Sequence, residues 1–273
     1  MYVSYFGLSE TPFKIVPDSR FLWYSEQHKE AKGKIEFHIA QRDGPVYLSS
    51  PVGLGKTLIA QRLRDELIVD ASKKVVYAFA PNLKTSNQFI RFIADEFAVK
   101  TARSYASTLR NFEQYLITQY EAGITPVLLV DEAQNMPLDT LKTIHHLFNF
   151  ATKDVFLIQV ALFGQPELHR RIQRYKSLAS RMYATKLHAF DEQQTREMMQ
   201  FRWTVAGGGD LPFDPEAITE IYRLTGGVAR HICKLANEAL LHTMVKQATI
   251  VDKTIIIAAS ADAFEESESY ERL

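Results

Sequence analysis

The chain holds a single cysteine, Cys233, in 273 residues. That excludes an internal disulfide and a cysteine-built zinc site, and it suits a reducing compartment. There is no surplus charge either: 32 lysines and arginines face 32 aspartates and glutamates. A neutral total neither announces nor excludes nucleic acid, because a local basic stripe can sit on a neutral protein. Long apolar runs are missing. The longest, residues 155–163, is interrupted by Gln159 and is far shorter than the ~20 residues a membrane span needs. The start lacks the basic and then apolar plan of a signal peptide. There is no internal repeat and no low-complexity tract. With 46% hydrophobic and 23% charged residues the composition is globular. These absences predict a soluble cytoplasmic protein with no membrane partner, built as one large domain or two small ones.

One more absence is more specific. Residues 50–57, Ser-Pro-Val-Gly-Leu-Gly-Lys-Thr, follow the phosphate-loop pattern G-x-x-x-x-G-K-[ST] except that Ser50 stands where the first glycine belongs.

What surrounds that loop is an alternation of strands and helices. Apolar runs at 46–50, 75–80, 126–134, 155–164 and 184–190 read as strands. Ile59, Leu63 and Leu67 recur every four residues, as do Phe89, Ile93 and Phe97, so helices lie between the strands. A further helix is predicted from Tyr105 to Glu121, ahead of Gly123. Strands apolar on both faces belong in a central parallel sheet covered by helices. After Phe190 the pattern becomes helical throughout. A glycine triplet, Gly207 to Gly209, breaks it once; Asp214 and Pro215 restart it as cap and first turn; Gly226-Gly227 breaks it again. The expected division is therefore an α/β domain over 1–190, a small helical domain over 191–259 and a flexible acidic tail over 260–273. Trp23, Trp203 and the stripe Phe89, Phe92, Phe97 are expected to pack in cores. His145 and His146, adjacent on a helix, point apart and make a poor metal pair.

A strand, a glycine loop and a helix opening at Gly-Lys-Thr make a phosphate site by physics, because backbone N–H groups and the helix N-terminus face the anion. The candidate nucleotide-binding residues are Ser50, Pro51, Val52, Gly53, Leu54, Gly55, Lys56, Thr57 and Leu58. Lys56 brings a mobile positive charge to the outer phosphates, and the Thr57 hydroxyl suits Mg²⁺. Ser50 is expected to keep a permitted backbone angle, with Pro51 stiffening the turn. The departure bears on turnover speed more than on binding. A second acidic strand end completes the pattern. In "PVLLVDEAQ", Asp131 is placed to hold Mg²⁺ through water, and Glu132 to polarise the attacking water. ATP and Mg²⁺ are the expected cofactors.

"DEAQ" after four apolar residues, "GQPEL" at a strand end, and the N-terminal "YFGLSETPFKIVPDSRFLWYSEQHKEA" together resemble the ExeA/GspA-like branch of AAA+ ATPases, from residue 2 to roughly residue 250. The resemblance implies a P-loop AAA+ three-layer sandwich on a five-stranded parallel sheet, followed by a helical lid. It implies that Gln165 senses the terminal phosphate; its other reading is a helix-capping glutamine. Arg181 resembles the arginine that reaches a neighbour's ATP, with Arg170, Arg171 and Arg174 as rivals. Arg230 resembles the lid arginine of the nucleotide site. Pro12-Phe13 and residues 24–28 resemble the adenine-side wall.

Two readings of purpose follow from the resemblance. The first is a free-standing regulator like the TnsC, TniB and MuB group, assembling with ATP on double-stranded DNA without sequence preference and recruiting a transposase or target selector. A hexameric or heptameric ring, or a helical filament, is implied. The DNA-facing positions would be Lys84, Thr85, Lys100, Thr101 and Arg103, making salt-sensitive phosphate contacts. The alternative is an ExeA/GspA-like ATPase that assembles a secretion or envelope complex.

Overall fold

Three apolar runs become strands buried on both faces. In chain order, a computed structural model of the protein places α1 at Tyr2–Tyr5, α2 at Glu26–Gln41, β1 at Val46–Ser49, α3 at Lys56–Ile68, β2 at Lys73–Phe79, α4 at Ser86–Glu96 and α5 at Tyr105–Glu121. Then come β3 at Thr125–Asp131, α6 at Leu138–Leu147, β4 at Gln159–Gly164, α7 at Pro166–Arg174, α8 at Lys176–Ala179 and β5 at Tyr183–Thr185. The last elements are α9 at Glu192–Val205, α10 at Pro215–Thr225, α11 at Ala229–Val245 and α12 at Lys253–Tyr270. The structure describes residues 1–16, 18–79 and 83–270, with side chains through Phe264.

The five strands form one parallel sheet in the order β2-β3-β4-β1-β5. Every residue of β1, β3 and β4 is buried, as interior parallel strands require. The edge strand β2 keeps exposed positions. Register sets Ser49 beside Gly164 and Val130 beside Leu162, so β1, β3 and β4 end together at the carboxyl edge. In open α/β sheets that edge is where ligands bind. Phe89 and Phe97 are fully buried in the sheet's core, with Phe92 packed against it.

Two strands are shorter than their apolar runs. Residues 155–158 stand outside β4. The Phe156 N–H donates to the Arg42 carbonyl and the Leu157 N–H to that of Phe150, so this half of the run is tied to loops. Beyond Thr185 the chain leaves the sheet. The Leu187 N–H donates to Ser50 Oγ instead of a ladder partner.

The helical unit comprises residues 1–25, 53–58 and 188–273. This corrects the expected boundary. The N-terminal 25 residues pack with the helices that follow Phe190, because their apolar side chains join that core: Tyr2, Leu8, Phe13 and Phe21 are buried with Trp203 and α10 to α12. Phe13, expected on the adenine-side wall, packs edge-on against Phe213 and is buried in this core. Asp191 and Asp214 cap α9 and α10, each accepting a backbone N–H three residues on. Residues 260–270 continue α12 instead of starting a tail, and Ala263 is buried in the same core. The last three positions lie outside the described residues. No helix among the described residues is long and apolar enough to cross a membrane.

Candidate functional site

The phosphate loop begins where β1 stops. Ser50 is buried, and its N–H donates to the Gly164 carbonyl at 3.1 Å. Its hydroxyl accepts from the Leu187 N–H at 2.5 Å. Its backbone avoids the left-handed region, so the missing first glycine costs no strain. The two glycines that remain are the ones whose backbones need them: φ is +86° at Gly53 and +91° at Gly55. At Gly53 space is also short. A Cβ there would lie 2.9 Å from Arg230 Cβ and 2.9 Å from Val228 Cγ1. The close approach has a purpose, because the Gly53 carbonyl accepts the Arg230 N–H at 3.2 Å, in the first turn of α11. Arg230, expected as a lid residue of the site, is thus tied to the loop through its backbone, and its side chain is exposed.

Lys56 opens α3 and is 5% exposed, while Thr57, next along, is half-buried. A buried lysine at a helix N-terminus is placed against that helix's dipole, an arrangement that suits an anion between the two.

The acidic strand end is organised within the sheet unit. Asp131 is 0% exposed. It accepts from the Tyr77 hydroxyl at 3.1 Å and from the Glu132 N–H at 2.8 Å. Burial, and then the Asp131 charge, push the Tyr77 hydroxyl well above the usual tyrosine range, so Tyr77 stays a proton donor to Asp131. Glu132 takes left-handed angles, φ +52° and ψ +34°, rare for a non-glycine residue. Its carboxylate accepts from Gln134 Nε2 at 2.5 Å and from Gln165 Nε2 at 3.5 Å. Gln165 occupies the N-cap position of α7, yet its side chain makes no cap bond. Helix capping is therefore not the task of the Gln165 side chain.

Three of the four arginines separate. Arg171 donates to the carbonyls of Gln134 and Met136, and Arg170 pairs with Glu167. Arg181 is exposed and donates to Asn149 Oδ1 at 3.0 Å. Sequence reasoning treated Arg171 as a rival of Arg181; its guanidinium is instead committed to the turn after β3.

The five DNA candidates lie in two segments: Lys84 and Thr85 precede α4, while Lys100, Thr101 and Arg103 follow it, and the 11-residue helix between them is roughly 16 Å long. Thr85 already has a task. Its hydroxyl accepts the Gln88 N–H, and the Gln88 side chain returns the bond to the Thr85 backbone, a complete capping box. Ala80, Pro81 and Asn82, from the same candidate segment, lie outside the described residues.

Gln134 was missed. The signal was in the sequence: an amide two residues past the acid, and a Gly-Gln pair at the neighbouring strand end. Tyr77 was missed too, since nothing in a strand's alternation marks which tyrosine will meet an aspartate.

Comparison with known proteins bears on the family and the fold. A family profile described as an AAA domain matches residues 39–172. General secretion pathway protein A of Aeromonas hydrophila is 32% identical over 265 residues, covering 95% of this chain and 48% of that protein. The chain thus spans about half the length of this curated relative. Among solved structures, the Aeropyrum pernix ORC1 protein in complex with DNA matches with a TM-score of 0.67 at 16% identity, over 97% of this chain and 72% of that one. Drosophila ORC bound to DNA matches with a TM-score of 0.66 at 18% identity, over 92% and 64%. The Thermotoga maritima RuvB Holliday junction branch migration motor matches with a TM-score of 0.56 at 15% identity, over 85% and 67%. At these identities the structural likeness is one of fold.

Proposed function

The chain belongs to the AAA+ ATPases, in their ExeA/GspA-like branch, and from that premise we propose that it is the ATP-driven module for assembling a secretion or envelope complex. The observation that carries the reading is the identity to a general secretion pathway protein along 95% of the chain. The module works in the cytoplasm as an oligomer that closes around bound nucleotide.

The residues present fit ATP and Mg²⁺. The loop offers the two positive-φ glycines and a buried lysine at a helix start, and the strand end offers one buried carboxylate. When bound, the pair supplies the scissile phosphate bond and the cation that neutralises its charge. Lys56 would hold the outer phosphates; Thr57 and Asp131 each offer an oxygen donor suited to Mg²⁺, which keeps several waters. Glu132 would take a proton from the attacking water. Gln165, bonded to Glu132, would report the terminal phosphate. Arg181, exposed and without an ion-pair partner among the described salt bridges, would reach a neighbouring subunit's nucleotide.

The transposition reading keeps less support. The likeness to DNA-bound structures is one of fold, and the candidate phosphate contacts are split by α4 with Thr85 engaged as a cap. Electron microscopy of the protein with a slowly hydrolysed ATP analogue, with and without duplex DNA, tests the choice. Nucleotide-driven assembly indifferent to DNA is expected. Assembly that needs DNA and weakens with salt would overturn the secretion reading in favour of a transposition regulator. Lys56→Ala is expected to abolish nucleotide binding and assembly together; assembly with nucleotide retained would refute the phosphate-loop assignment.

A further inference from the structure

The hydrolysis centre contains a side chain that none of the assigned roles uses. Gln134 lies in the turn after β3. Its Nε2 donates to Glu132 Oε2 at 2.5 Å, and its Oε1 accepts the Gln165 backbone N–H at 3.1 Å. One amide therefore ties the acid at the end of β3 to the residue that follows β4. The Gln165 side chain also reaches Glu132, but at 3.5 Å.

The surroundings are built for that bridge. Gly164 leaves the room: a Cβ there would lie 3.0 Å from Gln134 Oε1 and 2.8 Å from Leu168 Cδ2. Arg171 fixes the backbone from the other side, donating to the carbonyls of Gln134 and Met136. Burial lowers the Arg171 guanidinium's proton affinity, but an arginine stays charged in a protein, so both bonds are charge-assisted. Glu132 itself sits at φ +52°, a conformation that is strained for a non-glycine residue and persists only where neighbours over-determine it.

We propose that Gln134 is a positioning residue for ATP hydrolysis, holding the Glu132 carboxylate in register with Gln165, with Arg171 locking the turn that carries it. The inference rests on the reading of Glu132 as the group that activates water. Its physical basis is that a general base works only within hydrogen-bond reach of its proton, and a shift of ~1 Å can cost ~100-fold in rate. The bridge also gives a path from α7 to the reacting end: displacing Arg171 would release the turn and Glu132 with it.

The test is steady-state ATP hydrolysis by the full chain with Mg²⁺, alongside nucleotide affinity and thermal unfolding. Gln134→Met keeps the volume and removes both amide bonds. It is expected to lower kcat by at least ~10-fold while KM and nucleotide affinity stay within ~2-fold. Gln134→Glu keeps the shape but puts a second carboxylate against Glu132, so it too is expected to lower kcat with KM and nucleotide affinity nearly unchanged, a split that a merely structural brace does not predict. Glu132→Gln is run in parallel. If it abolishes hydrolysis while Gln134→Met keeps kcat within ~2-fold, the positioning role is wrong and the base assignment stands. If Glu132→Gln itself leaves kcat within ~2-fold, the base assignment fails and the positioning role falls with it. If Gln134→Met loses nucleotide affinity and melting temperature along with kcat, the residue braces the fold and the proposal is overturned.

Discussion

Ser50 and Gly53 stand three residues apart in one loop and are held by opposite rules. At Ser50 the phosphate-loop pattern asks for glycine, and the structure has no need of one. The angle is permitted, the site is 1% exposed, and the hydroxyl serves as acceptor for the Leu187 N–H. At Gly53 the short pattern asks for nothing in particular, and the structure tolerates only glycine. There φ is +86°, and two side-chain carbons stand 2.9 Å from where a Cβ would be. A pattern counts letters, whereas the fold responds to angle and space.

The largest effect is expected at Gly53. Gly53→Val combines a left-handed angle, unfavourable for a β-branched residue, with a clash against Val228 and Arg230. We expect a loss of at least ~3 kcal/mol of stability and the disappearance of measurable nucleotide binding, read by thermal unfolding and by a fluorescent ATP analogue. Gly53→Ala should cost less. Adding Val228→Ala to it should recover part of the loss, because one of the two crowding atoms goes. No recovery in the double variant would mean that strain in φ, not crowding, dominates there.

The opposite variant sharpens the other end. Ser50→Gly restores the full phosphate-loop pattern, so pattern reasoning predicts a gain in turnover. The structure predicts a loss. A buried N–H at Leu187 is left without its acceptor at a cost of ~1–3 kcal/mol, and the chain gains freedom when unfolded. The melting temperature should fall by several degrees with nucleotide affinity nearly unchanged. Equal stability in the two proteins would show that the Ser50 hydroxyl is replaceable by water.

The same distinction explains what could be read in advance. The ends of α5, the caps Asp191 and Asp214, and the strands β1 and β3 follow from local chemistry, since side-chain period, cap residues and double-faced burial are written in neighbouring letters. Lys56 at a helix start and Asp131 at a strand end stand where the local pattern put them. What was not legible depends on which surface a segment meets. Leu157 and Ile158 are buried and Val155 and Phe156 half-buried, but the N–H groups of Phe156 and Leu157 go to loops, so burial did not imply a strand. Phe13 has the look of a ligand wall and packs instead on Phe213, because periodicity reports that a face is covered and not by what. Gln134 is a letter in a motif until its two bonds, across strands far apart in sequence, give it a task.

Thr85 offers the smallest effect and a clean separation. Sequence reasoning placed it among DNA-facing residues; the structure makes it the N-cap of α4. Two neighbouring bonds pin the same turn, from Thr140 Oγ1 to the Leu83 carbonyl and from Ser86 Oγ to the Asp139 carbonyl. Thr85→Ala should therefore cost about 1 kcal/mol of stability, and Thr85→Asn, which can still cap, should restore most of it. A phosphate contact predicts another pattern. Either variant would then weaken DNA retention at low salt, the loss shrinking as salt rises, with unfolding barely changed. Thermal melts and a salt series on duplex DNA decide between the two. Because a cap acts on the helix and a phosphate contact acts on the complex, a loss confined to the melt keeps Thr85 as a cap, and a loss confined to DNA retention returns it to the interface.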